Sequence, residues 1–94
     1  MLNEQIVEQA GARLRKLSGQ LRGIERMIAE RRYCVEVLDQ IAAVQAALSG
    51  LGKLVLRNHI ETCVAETMAS GSATERRKKT DELVAIYGRF CRAT

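Results

Sequence analysis

An all-helical chain is what this sequence predicts. It contains no proline, and Ala, Leu, Glu, Arg and Lys, all strong helix formers, are abundant. Its apolar residues recur at alternating intervals of three and four, the period of helices packed on other helices. Hydrophobic residues make up 47% of the chain but aromatics only 3%, with Tyr33, Tyr87 and Phe90 the full set. Aliphatic side chains and alanine must therefore build the core. Residues 1–94 are read as one small domain, too short to bury all of its apolar surface alone, so the chain is expected to self-assemble.

The first helix is expected from Val7, with the stripe Val7, Ala10, Leu14, Leu17, Leu21, Ile24 and Ile28, and should fray around Arg31 to Tyr33. Gly19 and Gly23 weaken it by roughly 1 kcal/mol each. A second helix runs from about Cys34 to Ala69 and stops at Ser70-Gly71-Ser72. Its stripe is Leu38, Ile41, Gln45, Leu48, Gly52, Val55, His59 and Thr62, and its centre is built of small residues, Ala42, Ala43, Ala46, Ala47, Ser49, Gly50 and Gly52. A turn at Ser49-Gly50-Leu51-Gly52 is the alternative, and would fold this segment into a hairpin. Ser72-Ala73-Thr74-Glu75 has capping-box spacing and opens a third helix, with Leu83, Val84, Tyr87, Phe90 and Cys91 as its apolar side.

The chemistry concentrates in three residues. His59, the sole histidine, stands four positions before Cys63, which places an imidazole and a thiol on one helix face where both can hold a metal ion. Cys34 lies 25 residues before His59, nearly seven helical turns. On an unbroken helix that separation is ~37 Å, at about 1.5 Å per residue. Cys34 can then join the pair only from a second chain. An antiparallel pairing of two copies about Leu48 achieves this twice by symmetry. The hairpin alternative would instead make the site intrachain. Two thiolates and an imidazole form a soft set suited to Cu(I) in trigonal geometry, whereas Zn(II) prefers a fourth ligand.

The net charge of +4 permits nucleic-acid binding without requiring it. Between Arg13 and Arg32 there are seven basic residues and two acidic ones. Arg13, Lys16 and Gln20 flank the apolar stripe, while Arg15, Arg22 and Arg26 point away from it. Arg76-Arg77-Lys78-Lys79 lies near the start of the third helix, where the helix dipole disfavours positive charge. No signal peptide and no membrane span are expected, and three cysteines without disulfide spacing suit a reducing cytoplasm. An enzyme is not expected: no nucleophile sits beside a base, no carboxylate pair is evident, and there is no phosphate loop. Neither a small-molecule substrate nor a membrane partner is expected.

The stretches Arg13-Leu14-Arg15-Lys16-Leu17-Ser18-Gly19-Gln20-Leu21-Arg22-Gly23-Ile24-Glu25-Arg26-Met27-Ile28, Tyr33 through Gln45, and His59-Ile60-Glu61-Thr62-Cys63 together resemble the CsoR/RcnR/FrmR family of bacterial metal- and stress-sensing repressors. The resemblance covers nearly the whole chain. It implies a three-helix protomer, an antiparallel dimer pairing into a homotetramer, and repression by binding operator DNA until an inducer arrives. Cys34, His59 and Cys63 match the ligand set of its copper sensors, which implies Cu(I) as inducer and copper efflux or resistance genes as targets. The histidine added in nickel and cobalt sensors, and the proline after Met1 in formaldehyde sensors, are missing here. Persulfide sensors lack the histidine. A nickel or persulfide sensor, or a copper-buffering protein that does not bind DNA, are the alternatives. The resemblance also implies Tyr33 and Glu82 as residues supporting the site, and Arg13, Lys16, Gln20 and Lys53 as DNA contacts. Gly50 stands where a relative has arginine. Cys91 matches no ligand position and is read as a small apolar residue.

Overall fold

The computed structural model describes residues 2–90, and Cys91 lies outside them. Three helical rods account for the architecture: α1 (Glu4–Ala29), a long rod, and α4 (Ala73–Phe90). The long rod comprises α2 (Cys34–His59), a π-helical turn (Ile60–Val64) and α3 (Ala65–Ser70). Among the described residues all regular structure is helical.

Helix α1 starts at Glu4, three residues before the apolar stripe, because Asn3 caps it. The Asn3 side chain accepts a hydrogen bond from the Ile6 backbone N–H at 2.9 Å, satisfying one of the donors that a helix start leaves unpaired. The helix ends where expected. Arg31 adopts φ 58°, Arg31 N donates to Ile28 O and Arg32 N to Met27 O, each at 3.0 Å. This is the paired closure that normally places glycine in the left-handed position. The chain then reverses, and Arg32 bridges to Glu36 at 2.9 Å across the first turn of α2.

The glycines of Ser49-Gly50-Leu51-Gly52 do not break the rod, which continues from Cys34 to Ser70 as 37 residues. Its one irregularity is the π turn, which the sequence did not reveal. Thr62 Oγ1 donates to the Asn58 carbonyl at 2.7 Å and Thr67 Oγ1 to the Cys63 carbonyl at 3.0 Å. Hydroxyls thus cover backbone acceptors at both borders of a turn whose carbonyls are displaced from ordinary helical partners. Beyond Gly71 the capping box forms reciprocally: Ser72 N donates to Glu75 Oε1 at 3.0 Å and Glu75 N to Ser72 Oγ at 3.2 Å. The Ser72 backbone N–H, and the Ser72 hydroxyl beside it, hold the Glu75 carboxyl below its usual 4.5.

α1 packs antiparallel on α2, and α4 folds back along the far half of the long rod. The assembly measures 57 × 29 × 15 Å, and only Leu17, Val44, Leu56 and Val64 form a buried apolar core among the described residues. The α1 stripe splits in two. Ala10, Leu17 and Ile24 turn toward α2, whereas Val7, Leu14, Leu21 and Ile28, spaced by sevens, are 48–59% exposed. On α2 the same division runs lengthwise. Leu38 and Leu48 are bare and Ile41 is about a third exposed, while Val55, His59 and Thr62 are partly covered.

By length and composition alone the Cys34–Ser70 helix is apolar enough to cross a membrane, a test that the core helix of an assembled protein also passes. The run of alanine, glycine and leucine that shapes its small-residue centre is also what makes it apolar. Only 6% of its most apolar window is buried within the chain, so that surface calls for a partner.

Candidate metal centre and basic face

His59 ends α2 and Cys63 lies in the π turn that follows. Both line one cavity of about 550 Å³, whose walls are mostly apolar, with Leu2, Val55, Leu56, Ile86 and Phe90 contributing. Antiparallel packing of α4 on the rod brings Glu82 to the imidazole, with His59 Nε2 and Glu82 Oε1 3.1 Å apart. A neutral imidazole donating Nε2–H to that carboxylate carries its lone pair on Nδ1, and the contact fixes the ring plane. Lys79 Nζ stands 3.8 Å from the same carboxylate oxygen. Cys63 Sγ lies 3.7 Å from Thr62 Oγ1, whose proton is already engaged by the Asn58 carbonyl. Glu61 pairs instead with Arg57 at 3.5 Å.

The donor chemistry fits a soft cation: an imidazole with one nitrogen anchored, and a thiol one turn away, in an apolar cavity. The third candidate that the sequence offers lies elsewhere. Cys34 is exposed at the opposite end of α2, beside Tyr33, which is 70% exposed. Within the described residues of one chain, no three His, Cys, Asp or Glu side chains gather as a metal-holding group. The chain pairs His59 with Glu82, sets Cys63 on the same cavity as His59, and leaves Cys34 and Tyr33 apart.

Arg13, Lys16 and Gln20 line one groove of about 310 Å³ with Ala46, Ala47 and Gly50. The Arg13 guanidinium lies over Gly50, where a Cβ would come within 3.5 Å of it, an ordinary contact. Gln20 Oε1 is buried without a hydrogen-bond partner among the described residues. That oxygen is an acceptor, so only the amide N–H₂ of Gln20 could meet a phosphate. Lys53 opens onto a different groove with Leu56, Arg57, Ile60 and Glu61. Arg76, Arg77 and Lys78 are exposed on the first turns of α4.

Two residues at the site were missed from the sequence. Asn58 is 2% exposed and accepts a hydrogen bond from Asn3 Nδ2 at 3.0 Å. The cap signal at Asn3, an Asx residue followed by Glu4, was available. The contact between residues 55 positions apart was not.

A model of the family described as metal-sensitive transcriptional repressor matches residues 7–89. The copper-sensing transcriptional repressor CsoR of Bacillus subtilis is 36% identical over 86 residues, covering 92% of this chain and 82% of that one. Among solved structures, the copper-sensing repressor CsoR with Cu(I) from Geobacillus thermodenitrificans NG80-2 superposes with TM-score 0.84 at 32% identity, covering 98% of this chain and 93% of that one. The nickel-responsive transcriptional regulator InrS gives TM-score 0.74 at 34% identity, covering 88% and 90%.

Proposed function

The chain belongs to the metal-sensitive transcriptional repressors, and from that premise we propose that it is a Cu(I)-responsive repressor. In this reading it binds operator DNA without metal and releases it when Cu(I) binds, derepressing copper efflux or resistance genes in the cytoplasm. The observation that carries the choice of ligands is the His59–Glu82 contact, which commits Nε2 and leaves Nδ1 available in the cavity that Cys63 also lines. Cys34 of a second chain completes the set in an antiparallel dimer, which pairs into a tetramer. Cu(I) supplies a soft cation that prefers two thiolates and an imidazole. Tyr33 accompanies Cys34 into the interface.

The protein's part in the response is to link occupancy of this site to its basic surface. Glu82 orients the His59 ring and ties it to α4. Arg13, Lys16 and Lys53, with the amide nitrogen of Gln20, contact phosphates, so affinity falls steeply with salt. By linkage, DNA weakens metal binding by the same factor that metal weakens DNA binding. Nickel is the second reading, favoured by the likeness to InrS.

Anaerobic competition against a Cu(I) chelator, with Ni(II) titrated in parallel, separates the two metals. Anisotropy on a duplex selected from random DNA by the metal-free protein then reads the response. Expected are one Cu(I) per chain, loss of tight binding in Cys34→Ala, and release of DNA by Cu(I). Cys34→Ala homodimers with sites of full affinity overturn the interchain assignment. DNA release by Ni(II) in preference to Cu(I) overturns the copper reading.

A further inference from the structure

Among the described residues, Asn58 is the one polar residue that is buried, 2% exposed, and it immediately precedes His59. Its Oδ1 accepts from Asn3 Nδ2 at 3.0 Å, while Asn3 Oδ1 accepts from Ile6 N at 2.9 Å as the cap of α1. One short side chain therefore fastens the first turn of α1 to the turn of α2 that carries His59. The backbone of Asn58 is tied to the π turn as well, through Thr62 Oγ1 on its carbonyl at 2.7 Å. Leu2, next to Asn3, lies on the cavity wall shared with His59 and Cys63. From Asn3 an unbroken helix leads to Arg13 and Lys16, ~15–20 Å away at about 1.5 Å per residue.

We propose that the Asn3–Asn58 hydrogen bond is a positioning contact that transmits occupancy of the His59/Cys63 site to the basic face of α1. The inference rests on the repressor reading above and adds a route to it. A ligand drawing on His59, just before the π turn, and Cys63, within it, acts on that turn and so on the backbone of Asn58. The hydrogen bond between the two side chains then passes that movement on to Asn3. Because Asn3 is the cap, its displacement moves or frays the start of α1 rather than a loose tail. The alternative role for this pair is structural, supplying only the cap and a filled interior.

The two roles separate at Asn3. Serine caps a helix as well as asparagine does but is too short to cap and reach Asn58 together, so Asn3→Ser keeps the cap and removes the link. Asn58→Ala removes the link from the other side and leaves the cap in place. On full-length chains, three quantities are measured: DNA affinity without metal, Cu(I) affinity, and DNA affinity with Cu(I). The duplex is one selected by the metal-free wild type.

The expected wild-type response is of the order of 5- to 150-fold, the usual range of such coupling. Asn3→Ser should keep metal-free DNA affinity and Cu(I) affinity within about threefold while losing most of that response. Asn58→Ala and the double variant should lose the response to the same degree as Asn3→Ser, not additively. A responsive wild type with an equally responsive Asn3→Ser overturns this inference alone. A wild type whose DNA affinity ignored Cu(I) overturns the repressor reading and this inference with it.

Discussion

Gly52→Ala tests how α4 is seated on the rod. A Cβ built on Gly52 overlaps the ring of Phe90, the last residue of α4. Two effects oppose each other. Replacing an interior helical glycine by alanine gains ~1 kcal/mol of helix stability. Against this, the Phe90 ring must leave its seat. It is 37% exposed, so roughly 60% of a ~200 Å² side chain is covered, and exposing that area costs up to ~3 kcal/mol at about 25 cal/mol per Å². The second effect wins, and Gly52→Ala should destabilise by about 1–2 kcal/mol after partial repacking. Gly23 is the control, since a Cβ there meets nothing within 4 Å. Gly23→Ala should therefore stabilise by ~1 kcal/mol. Thermal melts followed by circular dichroism at one fixed protein concentration should place the variants on opposite sides of wild type, at roughly 4–8 °C per kcal/mol for a chain of this size. If Gly52→Ala melts at or above Gly23→Ala, Phe90 is not an anchor and the reasoning fails.

Glu82→Gln leaves an acceptor near His59 but removes the charge, and should weaken Cu(I) binding by about 10- to 100-fold in chelator competition, the usual effect of losing such a supporting carboxylate. Leu14→Asp places a charge on the bare seam of Val7, Leu14, Leu21 and Ile28, and should lower the sedimentation mass at micromolar concentration, since burying one leucine there stabilises the assembly by about 1.5–3 kcal/mol. Arg31→Gly relieves a non-glycine residue at φ 58° and should raise stability by about 0.5–1 kcal/mol in denaturant melts. The Glu75 carboxyl is held below 4.5 by Ser72, so its contribution to α4 is complete above 4.5 and is lost as pH falls through the lower folded value. Acid titration of helicity should show that loss in wild type and not in Glu75→Gln.

Much of the fold was readable because its signals are local. The capping box at Ser72 and Glu75, the stop at Gly71 and the fraying after Ala29 each depend on a few neighbouring residues, and each is present. Continuity through Gly50 and Gly52 was readable from the lack of proline and turn formers. The π turn was not, because its determinants are threonine hydroxyls bonding to carbonyls four residues back, a pattern threonine also follows in plain helices. Nor could a repeat of threes and fours say which half of a stripe faces its own chain. Leu17 is buried and Leu14 and Leu21 are bare, yet all three satisfy the same period. The Asn3–Asn58 contact depends on the register between α1 and α2, which spacing within either helix does not define.

The bare and covered parts of the long rod are complementary. In an antiparallel pairing about Leu48, Leu38 and Ile41 of one chain fall opposite the neighbourhood of Val55 and Asn58 of the other. That neighbourhood opens on the apolar cavity beside His59 and Cys63, where roughly 550 Å³ is available. The same register carries Cys34 to the level of the His59/Cys63 pair. Burying the stripe and completing the ligand set are then one event. A chain that stayed apart would leave Leu38, Ile41 and Leu48 in water and its two donors without a third, so assembly and metal affinity should rise and fall together as protein concentration is varied.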